Sequence, residues 1–211
     1  MDRLNLLAIS FMILVGMILI KIYIFDTDMF QLKCIISTVD GEKYCVRDRK
    51  RLNEAADLLA KASDNCKRLV EYVVEKHPEN EDVKRLQSNF NPDKIVETLP
   101  TSQHTAYSEN KGEKIAFCLN REKEENEQLI DENTLTFVAI HELSHVMTES
   151  IGHDDAFWSN FKFLLENAKK AGIYHPVDYK ASPKRYCGMS ITDNPYYDYE
   201  GNLELDEEEA D

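Results

Sequence analysis

The sequence predicts an α+β fold in which a small sheet packs on one central helix and a hydrophobic N-terminal helix precedes the domain. Three observations support this prediction. Apolar residues recur at helical spacing in three long segments, short β-prone runs lie between turn residues, and an uncharged apolar run stands near the start of the chain. The 211 residues are enough for one well-buried domain with an appendage.

The first predicted element is a transmembrane anchor over residues 1–25. Residues 4–20 contain no charged side chain, and the apolar run continues past Lys21 to Phe25, which gives about the length needed to span the hydrocarbon core of a bilayer. A cleavable signal peptide is the alternative, but no small-x-small cleavage site precedes Asp26. We therefore expect an uncleaved, single-pass anchor.

The charge distribution bears on location and partners. Lys21, Lys33 and Lys43 follow the predicted span while only Arg3 and the amino group precede it, which favours a cytosolic C-terminal domain. The formal net charge is −14, and no basic face is visible. Nucleic acid is therefore not an expected partner, because phosphate binding requires clustered Lys and Arg. Residues 200–211 are acidic and predict a disordered tail.

A juxtamembrane β-hairpin is predicted over residues 26–47, because β-prone residues alternate on both sides of Asp40-Gly41. Cys34 and Cys45 flank this turn and would lie diagonally across it, so a disulfide between them stays open. The five cysteines have irregular spacing and no CxxC pair. Apart from that one candidate pair, we expect reduced thiols.

The segment after the hairpin predicts helices and strands of one domain. Residues 49–75 carry an apolar stripe at helical spacing, and we expect this stripe to pack on the domain core. A short helix is predicted near 81–87. Two strand-like runs follow at 104–108 and 114–119.

The central helix begins near Glu132 and is predicted to stop at Ile151-Gly152, since glycine commonly ends a helix. A further helix over 156–171 is rich in aromatic and aliphatic residues and should be heavily buried. We assign residues 48–199 to one domain with its core at 101–172.

The stretch HELSHVMTESIGH contains half of the six histidines. His141 and His145, four residues apart, project from one helical face and can share a metal ion. Glu142 then lies beside the metal, where its carboxylate can accept a proton from a metal-bound water and later deliver it to the leaving amine. A hydrolytic zinc site needs three protein ligands and an open position, and His153 can supply the third after a chain reversal at Gly152.

Other residues near the motif have alternative interpretations. Glu149 falls one turn beyond His145, where a solvated carboxylate at the helix end is the favoured interpretation. Asp154 and Asp155 could orient a ligand histidine, or cap the next helix, a role that we assign to Asp155. The competing hypothesis for the whole stretch is that its histidines are ordinary hydrogen-bonded residues.

His141-Glu142-Leu143-Ser144-His145, followed by His153 and then Phe157-Trp158, resembles the core of the WLM and SprT-like zinc metallopeptidases. In that family the H-E-x-x-H helix is followed by a loop with a third histidine and by a helix that opens on an F-W pair. The resemblance covers about residues 114–171. The interval between His145 and His153 is two residues longer than the short spacing of many members.

The resemblance implies a zincin-like metallopeptidase domain that hydrolyses peptide or isopeptide bonds of a protein substrate. It implies a zinc ion (Zn2+) bound by His141, His145 and His153, with Glu142 as the general base. Residues 114–119 become a candidate edge strand for an extended substrate. Phe157 and Trp158 would brace the loop that carries the third histidine.

A tyrosine hydroxyl could donate to the oxyanion of the tetrahedral intermediate. The candidates are Tyr186, Tyr196, Tyr197 and Tyr199, which the sequence does not rank.

Two alternative functions stay open. A metzincin-type protease is one, because Cys187-Gly188-Met189-Ser190 could imitate a methionine turn, although Gly152 directly precedes His153 and breaks the metzincin consensus. The other is a non-catalytic, membrane-tethered interaction protein on a peptidase-like fold.

Overall fold

The computed structural model describes residues 9–21, 32–123 and 128–198. Residues 9–21 form helix α1, and none of the helices in the described part of the chain is long and apolar enough to cross a membrane. The remainder of the predicted anchor over 1–25 lies outside the described residues. The same is true of the predicted acidic tail at 200–211.

The remaining elements confirm a mixed α+β domain. Two short 3-10 turns, Pro92–Lys94 and Pro195–Tyr197, accompany them. In chain order the elements are β1 (Leu32–Ile36), β2 (Lys43–Arg47), α2 (Leu52–Lys76), α3 (Glu81–Asn89), β3 (Ile95–Glu97), β4 (Ala106–Glu109), β5 (Lys114–Phe117), α4 (Glu132–Met147), α5 (Asp155–Lys170), β6 (Lys184–Tyr186) and β7 (Met189–Ile191).

The sheet next to the central helix has the order β3-β5-β4, with β3 parallel and β4 antiparallel to β5. The prediction that residues 114–119 form an edge strand is therefore wrong, because β5 is paired on both sides. The edge strands of this sheet are β3 and β4, and the one beside the helix of His141 and His145 is β4. It packs against α4, the helix that carries the H-E-x-x-H motif.

The long helix α2 buries its apolar stripe in the core, as its periodicity predicts. Leu59, Leu69 and Val73 are fully buried, and each buried side chain of this size contributes about 1.5–3 kcal/mol. The helix packs against α4, α5 and β2. Its last residue is Lys76, just before His77-Pro78.

The β1–β2 hairpin packs against α2. The Asp57 carboxylate of α2 accepts hydrogen bonds from the hydroxyls of Ser37 and Thr38, at 2.6 and 2.8 Å. At the other end of the hairpin, the buried Arg47 guanidinium donates to the carbonyl of Thr98 at 2.8 Å, and its backbone N–H donates to buried Glu97 at 2.7 Å. These contacts connect the hairpin to the domain core.

Two disulfides are formed, so the expectation of mostly reduced thiols is wrong. Cys34 pairs with Cys45 across the hairpin, and Cys118 pairs with Cys187. The second pair is separated by 69 residues of sequence, so only the folded chain brings its members together. Cys66 is a free thiol buried in α2.

Candidate metal centre and active site

Helix α4 presents the motif from a largely buried position. The Asp131 side chain caps its N-terminus by accepting from the backbone N–H of Thr134 at 2.9 Å. The helix then packs against α2, α3, α5 and β4, which fixes its rotation. His141 and His145 emerge on one face, with ring centroids 4.9 Å apart.

The third histidine reaches the same point because the chain reverses after α4. Gly152 has φ of 101°, a left-handed conformation that favours glycine. His153 Nε2 then lies 3.2 Å from His141 Nε2 and 3.1 Å from His145 Nε2. The structure thus brings together the three histidines that the sequence singles out.

The three ring nitrogens fit a tetrahedral metal ion. Ligands at about 2.0–2.1 Å from a tetrahedral ion are about 3.3 Å apart, close to the spacings observed here. Burial, together with the neighbouring imidazoles, lowers the pKa of His141 to about 3, and burial and the charges of His153 and Lys111 lower that of His145 to about 4. Three imidazoles whose ring nitrogens lie this close together can hold a metal ion.

Phe157 supports all three histidines. Its ring centroid lies 4.9, 4.4 and 4.5 Å from those of His141, His145 and His153. The ring is fully buried and belongs to the first turn of α5. Trp158 contacts only the third histidine, at 5.7 Å between ring centroids.

The N-cap of α5 differs from the prediction. Asp154 is the capping residue, and its carboxylate accepts from the backbone N–H of Phe157 at 3.0 Å. Asp155 is instead the first helical residue, so its assignment as the cap is wrong. The cap fixes the start of the helix, and therefore the position of Phe157 beneath the histidines.

Glu142 lies between two cavities on this face of α4. Its side chain is 5% exposed, and burial raises its pKa to about 8. In the part of the chain that the structure describes, no hydrogen bond engages its carboxylate. The carboxylate can therefore interact with a water or a substrate in the cleft.

We name the two cavities by their walls. The loop cavity, of about 500 Å³, is lined by β4, Lys111 and residues 151–153. The hairpin cavity, of about 320 Å³, is lined by α4, α5 and the β6–β7 hairpin. Ala106 of β4, His141 and Glu142 line both cavities. A chain laid along β4 would therefore cross the site with one cavity on each side.

Lys111 is a residue that the sequence reasoning missed. Its ammonium donates to the carbonyl of Thr148 at 2.9 Å and also to that of Ser150. These carbonyls belong to the segment that leads from α4 to His153. The sequence indicates a turn at 109–112, but the reach of this lysine depends on how the turn packs on α4.

The three candidate tyrosines that the structure describes do not offer a free hydroxyl to the histidines. The Tyr186 hydroxyl is buried, donates to the carbonyl of Thr105 at 3.1 Å and accepts from the N–H of Cys118 at 3.2 Å. Tyr196 and Tyr197 line a separate cavity beside α5. Tyr199 lies outside the described residues.

Of two other candidates, Glu149 does not join the three histidines as a metal ligand, and Met189 lies in the wall of the hairpin cavity. The carboxylate of Glu149 is exposed and lies 3.4 Å from the Arg85 guanidinium, as expected for a solvated helix-end residue. Met189, which could have marked a methionine turn, stands on β7 at 50% exposure, with its sulfur 3.5 Å from the Thr105 hydroxyl.

No protein-family model matches the chain. The chain is similar to an uncharacterized protein of Acanthamoeba polyphaga mimivirus, at 26% identity over 192 residues that cover 89% of this chain and 96% of that protein. An uncharacterized protein of Invertebrate iridescent virus 6 is 36% identical over 73 residues, which are 35% of this chain and 40% of that protein. One of Invertebrate iridescent virus 3 is 38% identical over 100 residues, 47% of this chain and 57% of that protein.

Among solved structures, the chain resembles Wss1 from Saccharomyces cerevisiae, with a TM-score of 0.43 at 16% identity over 59% of this chain and 86% of that chain. A mutant of the same yeast protein gives a TM-score of 0.45 at 16% identity, over 61% of this chain and 91% of that one.

Proposed function

We propose that this protein is a zinc-dependent metallopeptidase that hydrolyses peptide or isopeptide bonds. The observation that carries the proposal is the convergence of His141, His145 and His153 at 3.1–3.2 Å beside an unengaged glutamate. Three imidazoles with an open fourth position are the ligand set of hydrolytic zinc. Zinc bound there would polarise the scissile carbonyl and lower the pKa of the attacking water.

Glu142 is the general base of the proposed reaction. Its side chain lines the loop cavity together with His141, His145 and His153, and it also lines the hairpin cavity. It would take a proton from the attacking water and deliver it to the leaving amine. Phe157 keeps the three imidazoles in place, because its buried ring contacts each of them.

Strand β4 is suited to hold an extended substrate. Thr105 and Cys118 form a hydrogen-bonded pair in the antiparallel ladder, so the alternation directs the backbone groups of Ala106 and Ser108 away from β5. Both residues line the loop cavity, beside His141 and Glu142. A peptide could therefore add to this edge as a further strand with its carbonyl over the metal.

The test compares metal content with hydrolysis in the full-length protein. We expect one zinc per chain in the wild type and in Glu142→Gln, and loss of zinc in His145→Ala. An unfolded protein substrate should be cleaved by the wild type and by neither of these two variants. His175→Ala is the matched control, because this histidine lines a different cavity. It should retain both properties.

Absence of bound zinc in the wild type would contradict the proposal. So would a zinc-loaded wild type that cleaves no unfolded protein or peptide faster than Glu142→Gln does.

A further inference from the structure

The hairpin cavity opens directly beside the candidate catalytic residues and has an apolar floor. Phe137, Val138 and Phe161 line it from α4 and α5, and all three are buried. Ile191 and half-exposed Met189 line it from β7. Its volume of about 320 Å³ places it among small ligand-binding pockets.

The hairpin cavity is not suited to binding a charged side chain. Its lining contains no lysine or arginine, and its carboxylates are those of Glu142 and Asp193. Asp193 is already paired with the Lys180 ammonium at 3.0 Å. The lining offers no cation to pair with an acidic side chain. A basic side chain would lose its hydration in contact with the apolar floor.

The wall formed by the β6–β7 hairpin is held in place before any ligand arrives. The Cys118–Cys187 disulfide joins the turn of this hairpin to the end of β5. The Tyr186 hydroxyl adds a hydrogen bond to Thr105, next to β4. A pocket whose walls are fixed in advance binds without the cost of ordering them.

We infer that the hairpin cavity binds a large apolar side chain, of the leucine, methionine or phenylalanine class, from the substrate residue that flanks the scissile bond. The inference rests on the proposed function and names its substrate class. Ala106, His141 and Glu142 border this cavity and also the loop cavity. A chain running along β4 therefore places one side chain in the hairpin cavity when its neighbouring carbonyl faces the histidines.

The test uses the zinc-loaded full-length protein and a matched set of peptides. One residue beside the cleaved bond is alanine, leucine, phenylalanine, aspartate or lysine, and kcat/KM is measured for each. We expect the phenylalanine or leucine peptide to exceed the alanine peptide by at least about 100-fold, because each of the added carbons contributes about tenfold or more in an apolar pocket. Equal rates, or a preference for a charged residue, would overturn the inference.

A variant that fills the hairpin cavity tests whether this cavity is the surface that recognises the apolar side chain. Ile191→Trp places a larger ring in the cavity, and we expect the ratio of kcat/KM for the phenylalanine peptide to that for the alanine peptide to fall at least tenfold, with the zinc content unchanged. Ile36→Trp is the matched control, because Ile36 lies exposed on β1 and outside both cavities. If the preference survives Ile191→Trp unchanged, another surface recognises the side chain.

A binding measurement separates this inference from the proposed function. Zinc-loaded Glu142→Gln should bind the phenylalanine peptide at least tenfold more tightly than the alanine peptide by calorimetry, and Ile191→Trp in the same background should abolish the difference. This result would support the cavity inference even if the wild type cleaved nothing. Equal affinities would overturn it even if the protein were an active peptidase.

Discussion

The two walls of the proposed active site are held by different forces. On the side of the loop cavity, residues 148–153 are held by hydrogen bonds from Lys111 and Asn160. The turn that carries Lys111 packs tightly on α4 at Gly112. On the side of the hairpin cavity, the β6–β7 hairpin is held by a disulfide and a buried tyrosine. The loop wall carries the candidate metal ligand His153, whereas the hairpin wall carries no histidine.

We therefore expect the loop wall to determine metal affinity and the hairpin wall to determine stability and side-chain preference. Perturbing the loop wall should change metal affinity, because it moves His153. Perturbing the hairpin wall should change stability and side-chain preference but not metal affinity. Each of the following predictions tests one side of this division.

The largest expected effect is on the loop wall itself. His153→Ala should weaken zinc binding by about 1000-fold and abolish hydrolysis, because two imidazoles alone leave the ion without its third protein ligand. Competition with a chromophoric chelator measures the affinity. Glu149→Ala is the control, since its carboxylate is exposed beside Arg85, and it should bind zinc like the wild type. If His153→Ala bound zinc with wild-type affinity, His153 would not be a metal ligand.

On the hairpin wall, replacing Cys118 and Cys187 together by serine should lower the free energy of unfolding by about 2–4 kcal/mol. The disulfide closes a segment with a sequence separation of 69, and the hairpin pair of Cys34 and Cys45 one of only 11. The shorter loop gains less from its crosslink, so the same replacement there should cost less. Urea unfolding measures both.

Zinc affinity should be unchanged in both double variants, and only the Cys118–Cys187 variant should lose cleavage preference. A large loss of zinc affinity in that variant would contradict the division between the two walls.

The glycines of the two turns give a matched comparison of backbone packing. A Cβ at Gly112, where φ is 113°, would lie 2.7 Å from the Val146 side chain and 2.8 Å from the Asn89 carbonyl oxygen. At Gly188, with φ of 82°, the nearest atoms are 3.8 Å away. Gly188→Ala should therefore cost only the backbone strain of about 1–2 kcal/mol.

Gly112→Ala should add overpacking to this strain, for a total of about 2–5 kcal/mol. Urea unfolding of the two variants measures the difference, and equal losses would show that the β4–β5 turn is less tightly packed on α4 than the structure indicates.

The sequence predicted the parts of the site that depend on local spacing. Helix α4 follows from apolar periodicity, and the shared face of His141 and His145 follows from helical geometry. Gly152 marks the reversal that returns His153 to the same point. The support from Phe157 followed from the family resemblance and agrees with its ring contacts.

The parts that depend on tertiary packing were missed or wrong. Strand order decides that β5 is central and β4 an edge, and two short strands of similar composition give no sign of which one is central. Cys118 and Cys187 meet only after the chain between them has folded. Lys111 resembles any lysine in a polar turn until the turn is placed against the end of α4.

The smallest expected effect tests whether Lys111 positions the third histidine. Lys111→Met keeps most of the side-chain length but removes the donor to the carbonyls of Thr148 and Ser150. We expect zinc affinity to fall by about tenfold, as is typical when a partner that orients a metal ligand is lost. Lys94→Met is the matched control, because this lysine pairs with Glu113 on the surface at 3.2 Å.

Removing the Lys111 ammonium also has an opposite effect, since its positive charge acts on His145 and disfavours a second cation nearby. High salt screens this repulsion more than it affects hydrogen bonds in the partly buried loop. The fall in affinity should therefore be larger at high salt than at low salt. Unchanged or tighter zinc binding at high salt would show that the segment holds His153 without the lysine, and the loop wall would then depend on its other contacts, such as the hydrogen bond from Asn160 to Thr148.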